Sequence, residues 1–111
     1  MNNILIKDMP VNERPRERLV KYGVKNISNE ELISIILKTG TKEKSVKELS
    51  NMILSKYSDI SNLKELEIQD IMKIKGIGKV KAIELIASIE LGRRVYIDKN
   101  IDELKIKGSI N

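Results

Sequence analysis

The stretch K73-I-K-G-I-G-K-V-K-A-I-E-L85 decides the fold. Gly76 and Gly78 flank a single isoleucine, Ile77, and an apolar pattern with helical spacing follows at once. Glycines there permit positive φ and let another molecule approach the main chain closely. The first amides of the helix that follows have no intrahelical partner, and the helix dipole adds partial positive charge at the same place. Together they form an anion site. Lys75, Lys79 and Lys81 crowd its mouth, and Ile77 is expected to point inward and anchor the loop. Several donors converging on one point suit a phosphate better than a carboxylate.

The rest of the composition bounds what such a site can do. The chain has 111 residues, 21 Lys and Arg against 16 Asp and Glu, and a formal charge of +5. That length suits one small domain without room for a large enclosed active site. Three Tyr, no Phe and no Trp imply an aliphatic core and no aromatic platform for stacking bases. With neither Cys nor His, there is no disulfide framework, thiolate or imidazole metal site, or histidine base. No cofactor is expected. The positive charge favours an anionic partner such as nucleic acid. No apolar run approaches a membrane span, and the N-terminus lacks the order of a secretory signal, so a cytoplasmic protein is expected.

Working outward, residues 1–12 read as an N-terminal arm, residues 13–95 as an all-α domain of about five helices, and residues 96–111 as a linker. Pro15 and Gly23 bracket a first short helix with Leu19, Val20 and Tyr22 on its apolar side. Ser28 and Glu31 form a capping box for a buried helix that Gly40 is expected to end. A third helix, from about 43 to 57, places Val46, Leu49, Ile53 and Tyr57 on one face and Lys44, Lys47, Glu48 and Lys56 in water. A short piece follows Asp59, and a short helix from 68 to 74 turns Ile68, Ile71 and Met72 inward. The last helix, from about 79 to 95, carries Ala82, Ile83, Leu85, Ile86 and Ile89 on a broad apolar face. In the tail, LKIKGSI alternates as a strand does but has nothing to pair with.

A shift of 36 residues lays Gly40 on Gly76, Glu48 on Glu84, Leu49 on Leu85 and Ile53 on Ile89. Each unit is then helix, turn, helix, and TGTKEK, with one glycine, is the degenerate copy. Thr39, Gly40, Thr41, Lys42 and Lys44 either make a second backbone contact or simply join two helices. Arg14, Arg16 and Arg18 alternate with Glu13 and Glu17, which favours charge pairing at a helix start over phosphate contact. Arg93 and Arg94 suit the negative pole of the last helix.

The pattern I-x-x-I-x-G-I-G-x-x-x-A, from Ile71 to Ala82, resembles the helix-hairpin-helix motif. That resemblance implies phosphate held by the backbone of Gly76, Ile77 and Gly78 with help from Lys79, and Ala82 as the small residue at a helix crossing. The fold it implies is a tandem helix-hairpin-helix domain, its second hairpin intact and its first degenerate. From Ile6 to Arg94, the ERPRERL, TGTKEKSV and GIGKVKA blocks resemble the N-terminal domain of bacterial RadC-type proteins, a family with a DNA-repair name. Full-length members continue into a JAB/MPN-like domain with His and Asp metal ligands. The chain is therefore expected to be a fragment that leads toward that domain and lacks its metal chemistry.

The leading expectation is a non-catalytic module that holds the DNA backbone without reading sequence. The alternative is a protein-interaction module acting through the third helix, with the hairpin as scaffold and the JAB/MPN-like domain as first partner. A lyase or glycosylase is the third, with Asp98 its only candidate acid, and the chain is too small for the usual base pocket.

Overall fold

The computed structural model describes residues 5–6, 9–10 and 13–110, all of it helix, turn and loop. The α-helices are α1 (Pro15–Tyr22), α2 (Asn29–Leu37), α3 (Val46–Tyr57), α4 (Ile68–Ile71) and α5 (Lys79–Ile110), with 3-10 turns at Val24–Asn26 and Ile60–Glu65. Two helical hairpins result, α2–turn–α3 and α4–turn–α5. Most of the expected arm, Ile4 included, lies outside the described residues, but Ile6 packs against the core.

The core is aliphatic. Leu37, Leu49, Ile53, Ile71 and Leu85 are fully buried, joined by Ile33, Val46, Leu63, Ile74, Ile77 and Ala82. One polar pair lies inside it. The Ser50 hydroxyl is 2.8 Å from the Val46 carbonyl, which it can only serve as donor, and 2.8 Å from the Ser34 hydroxyl. Having one proton, Ser50 must accept from Ser34, so both hydroxyls are satisfied where α2 and α3 pack.

Several sequence expectations are corrected. α2 closes one residue past Leu37, where Lys38 takes φ of 72° and its N–H reaches the Ser34 carbonyl. Gly40 instead admits a close backbone approach, since a Cβ there would overlap the Lys44 carbonyl oxygen and lie 2.6 Å from the Val46 nitrogen. Val20 and Tyr22 are exposed, and α1 buries no residue. Ile68, Met72 and Ile83 also face water, because Ile71, Ile74, Ala82 and Leu85 already fill that side of the core. On α3, Lys47 and Lys56 are wet as expected, whereas one Glu48 carboxylate oxygen is buried. Residues 96–110 continue α5 and form no strand. A lone strand leaves its amides unpaired, whereas extending a nucleated helix satisfies one per residue. Arg93 and Arg94 therefore sit within the helix, paired with Glu90 at 2.8 Å each, which lowers the Glu90 pKa to about 2.

The capping box is present, with the Ser28 hydroxyl accepting from the Glu31 N–H at 3.1 Å. Glu31 also accepts from Arg18 Nε at 2.6 Å, which ties α1 to α2. Arg18 thus pairs across the fold and not with Glu13 or Glu17. Burial pushes the Glu31 carboxyl upward, but hydrogen bonds from Arg18 and Ser28 outweigh it and hold the carboxyl below its ordinary pKa. A depressed carboxylate pKa stabilises the fold above the unfolded value and loses that contribution as pH falls through the folded one. Urea midpoints should therefore drop on acidification below about pH 4.3. The Arg18→Met variant should lose about 0.5–1 kcal/mol at pH 7 and show a flatter acid limb.

Candidate functional site

The α4–α5 turn is built from the core outward. The Ile77 N–H donates to the Ile74 carbonyl at 3.1 Å, and the Ile77 side chain is 3% exposed, a plug between the half-buried Gly76 and the exposed Gly78. Gly76 has φ of 104°, and a Cβ there would lie 3.0 Å from Leu49 Cδ2 and 3.2 Å from Thr41 Cγ2. Glycine is required at that position twice over, by conformation and by space.

Gly78 is different. Its φ is not positive, and a Cβ would meet nothing within 4 Å. The first helical bond of α5 runs from the Ala82 N–H to the Gly78 carbonyl at 3.0 Å, so Gly78 occupies the N-cap position. α2 and α3 begin with Ser28 and Ser45, whose hydroxyls accept from the Glu31 and Glu48 amides at 3.1 Å. Gly78 has no side-chain oxygen to do this. The amides of Gly78, Lys79, Val80 and Lys81 make no hydrogen bond among the described residues. The longest helix of the fold therefore leaves its positive pole open to solvent.

The lysines around this surface divide by their engagements. Lys79 and Lys42 are exposed and make no hydrogen bond or ion pair among the described residues. Lys81 Nζ donates to the Leu37 carbonyl at 2.6 Å and to Thr39 Oγ1 at 3.2 Å, capping the C-terminus of α2. Burial pulls its ammonium below the usual lysine value; Glu84 opposes the shift and Lys38 adds to it. Lys75 Nζ lies 3.1 Å from Glu43 Oε2. Lys44 Nζ rests 3.4 Å from Met52 Sδ. Lys38 pairs with Glu84 at 2.7 Å, a link between α2 and α5 that the sequence reading missed. Only the end of the helical period at 37 hints at it.

The structure thus brings both predicted turns together: Gly76 against Thr41, Lys81 against Thr39, Lys75 against Glu43. The first turn is internally bonded. The Thr41 N–H donates to the Lys44 carbonyl at 2.7 Å, and Thr41 Oγ1 accepts from the Glu43 and Lys44 amides at 3.3 and 3.1 Å. Those amides point into their own loop. Arg18 is not part of this surface, since it binds Glu31 in the first turn of α2 while the two turns meet at the other end of that helix. A groove of about 1070 Å³ also lies apart from it, between Ile6, Arg18, Glu31 and the α3 residues Glu48, Met52 and Lys56.

Comparison with known proteins shows the family of the chain. Residues 6–83 match the family model described as UPF0758 N-terminal. A UPF0758 protein from Alkaliphilus metalliredigens is 46% identical over 103 residues, 92% of this chain and 44% of the relative. A UPF0758 protein from Clostridium botulinum is 58% identical over 36 residues, 32% of this chain and 16% of the relative. The chain thus spans less than half the length of these relatives. No solved structure matches it.

The geometry ranks the three turn glycines. Replacement by alanine should cost about 3 kcal/mol at Gly40, where a Cβ overlaps backbone, and about 1–2 kcal/mol at Gly76 from the left-handed φ. At Gly78 the cost should be less than about 1 kcal/mol, the difference between glycine and alanine as caps. Urea denaturation of the three variants checks the order.

Proposed function

The chain belongs to the UPF0758 family, the RadC-like group that its sequence resembles, and we propose that its helical domain is a non-catalytic module that holds the backbone of DNA. The observation that carries this reading is Gly78. The fold has room for a side chain there, yet the residue is glycine, beside unbonded amides and the unengaged Lys79. A bare cap keeps the approach to those amides clear, and a phosphate oxygen is the acceptor that the helix pole and the lysine favour together. Thr39, Gly40, Thr41, Lys42 and Lys44 act mainly as the buttress of this turn, with Lys42 adding diffuse charge. Such contacts position a duplex without reading bases, so binding is weak, tolerant of sequence and steeply salt-dependent. Within a longer RadC-like repair protein of the cytoplasm, the module would deliver a neighbouring JAB/MPN-like domain to DNA.

A second reading has its own observation. The groove along α3 offers Met52 and Ile6 beside Glu48, Lys47 and Lys56, a mixed surface that suits a protein partner. It predicts that substitutions at Met52 and Lys56, and not at the hairpin, disturb function.

Fluorescence anisotropy with a labelled duplex separates the two. Gly78→Val and Lys79→Glu, each confirmed folded by circular dichroism, should weaken binding by about tenfold or more, and Lys79→Ala should reduce the salt slope by about 0.9. Unchanged binding in both hairpin variants would count against the backbone-holding reading.

A further inference from the structure

We infer that Glu43, carried on the first turn, is an electrostatic brake on the phosphate site of the second; this rests on the reading of the Gly76–Lys81 surface as a DNA contact. The first turn holds the residue in place. The Glu43 amide donates to Thr41 Oγ1 at 3.3 Å, and the Thr41 amide closes the loop on the Lys44 carbonyl at 2.7 Å. Gly40 admits that closure, since a Cβ would overlap the same carbonyl oxygen. The Thr41 methyl then rests against Gly76, so the two turns keep a fixed relation. The Glu43 carboxylate reaches across this contact to Lys75, with N and O 3.1 Å apart and both side chains mostly exposed.

Two consequences follow for an approaching phosphate. Lys75 meets it with its charge already offset by Glu43, and the carboxylate itself repels the ligand. An exposed ion pair such as this one contributes little to stability. The Glu43 charge still acts on an anion next to Lys75, because unit charges a few ångströms apart interact appreciably at low ionic strength. The first hairpin therefore limits the affinity of the second and does not add a second grip. The result is a contact weak enough to release DNA readily and sensitive to whatever neutralises one side chain.

The test is a gain of affinity, which an unfolded variant cannot mimic. Binding of the whole chain to a labelled duplex is measured at low and moderate salt for wild type, Lys79→Glu, Glu43→Gln, Glu43→Lys and Glu30→Gln. Glu30→Gln removes the same charge at the far end of α2, in its first turn. Glu43→Gln should tighten binding about threefold at low salt, and Glu43→Lys about tenfold, with the gain shrinking as salt rises. Glu30→Gln should leave affinity unchanged. If wild type binds and Lys79→Glu abolishes it, but Glu43→Gln gains nothing or Glu30→Gln gains as much, the brake is wrong and the DNA site stands. If wild type and Glu43→Lys both fail to bind at low salt, the DNA reading fails and the brake with it.

Discussion

A Cβ on Gly76 would lie 3.0 Å from Leu49 Cδ2 and 3.2 Å from Thr41 Cγ2. That close contact of two turns fixes the geometry of the rest of the surface. Leu49 is fully buried on α3, so the second turn is pressed onto the core and its position is set by packing. Ile77 plugs the same core one residue later. Once both are seated, the start of α5 has one direction to run, and its unbonded amides emerge beside the first turn. The polar links Lys81 to Leu37, Lys38 to Glu84 and Lys75 to Glu43 then span the same junction. They differ in weight: Lys81 is partly buried and bonded to a helix-end carbonyl, while the other two pairs are exposed and screened.

The two hairpins share a plan but not a chemistry. In the first, Ser45 accepts from the Glu48 amide and the Thr41 hydroxyl accepts from the Glu43 and Lys44 amides, so those three donors are met from within the turn. In the second, the cap is a glycine and the donors stay open. The difference lies in the cap: a serine hydroxyl takes one helix-start amide in the first hairpin, and no side chain does so in the second. A helix as long as α5 can do without a side-chain cap. The stability forgone at its N-terminus is small against the burial of Ala82 and Leu85.

Much of this was legible in the sequence. The capping box at Ser28 and Glu31, the α3 spacing of Val46, Leu49 and Ile53, and the anchor Ile77 all follow from local rules that tertiary structure left intact. The errors were of two kinds. Some came from reading an apolar residue as inward without knowing which side was full, as at Val20, Ile68, Met72 and Ile83. Others came from stop signals: the helix closed on Lys38, which no composition rule favours at φ of 72°, while Gly40 served a close backbone approach. The tail lacked a helical period, and propagation from α5 carried it along regardless. In the candidate site, Gly76, Gly78 and Lys79 were readable from the motif. The roles of Lys81, Lys38 and Glu43 were not, because each depends on a residue that only the meeting of the two hairpins brings near.

The most direct test of the central claim reads the amides themselves. In a ¹H–¹⁵N correlation spectrum titrated with a short unlabelled duplex, the amides of Gly78, Lys79, Val80 and Lys81 should move most, and those of Glu43 and Lys44, already bonded to Thr41, should move little. Shifts confined to the α3 residues that line the groove, or no saturable shifts at low salt, would contradict the account.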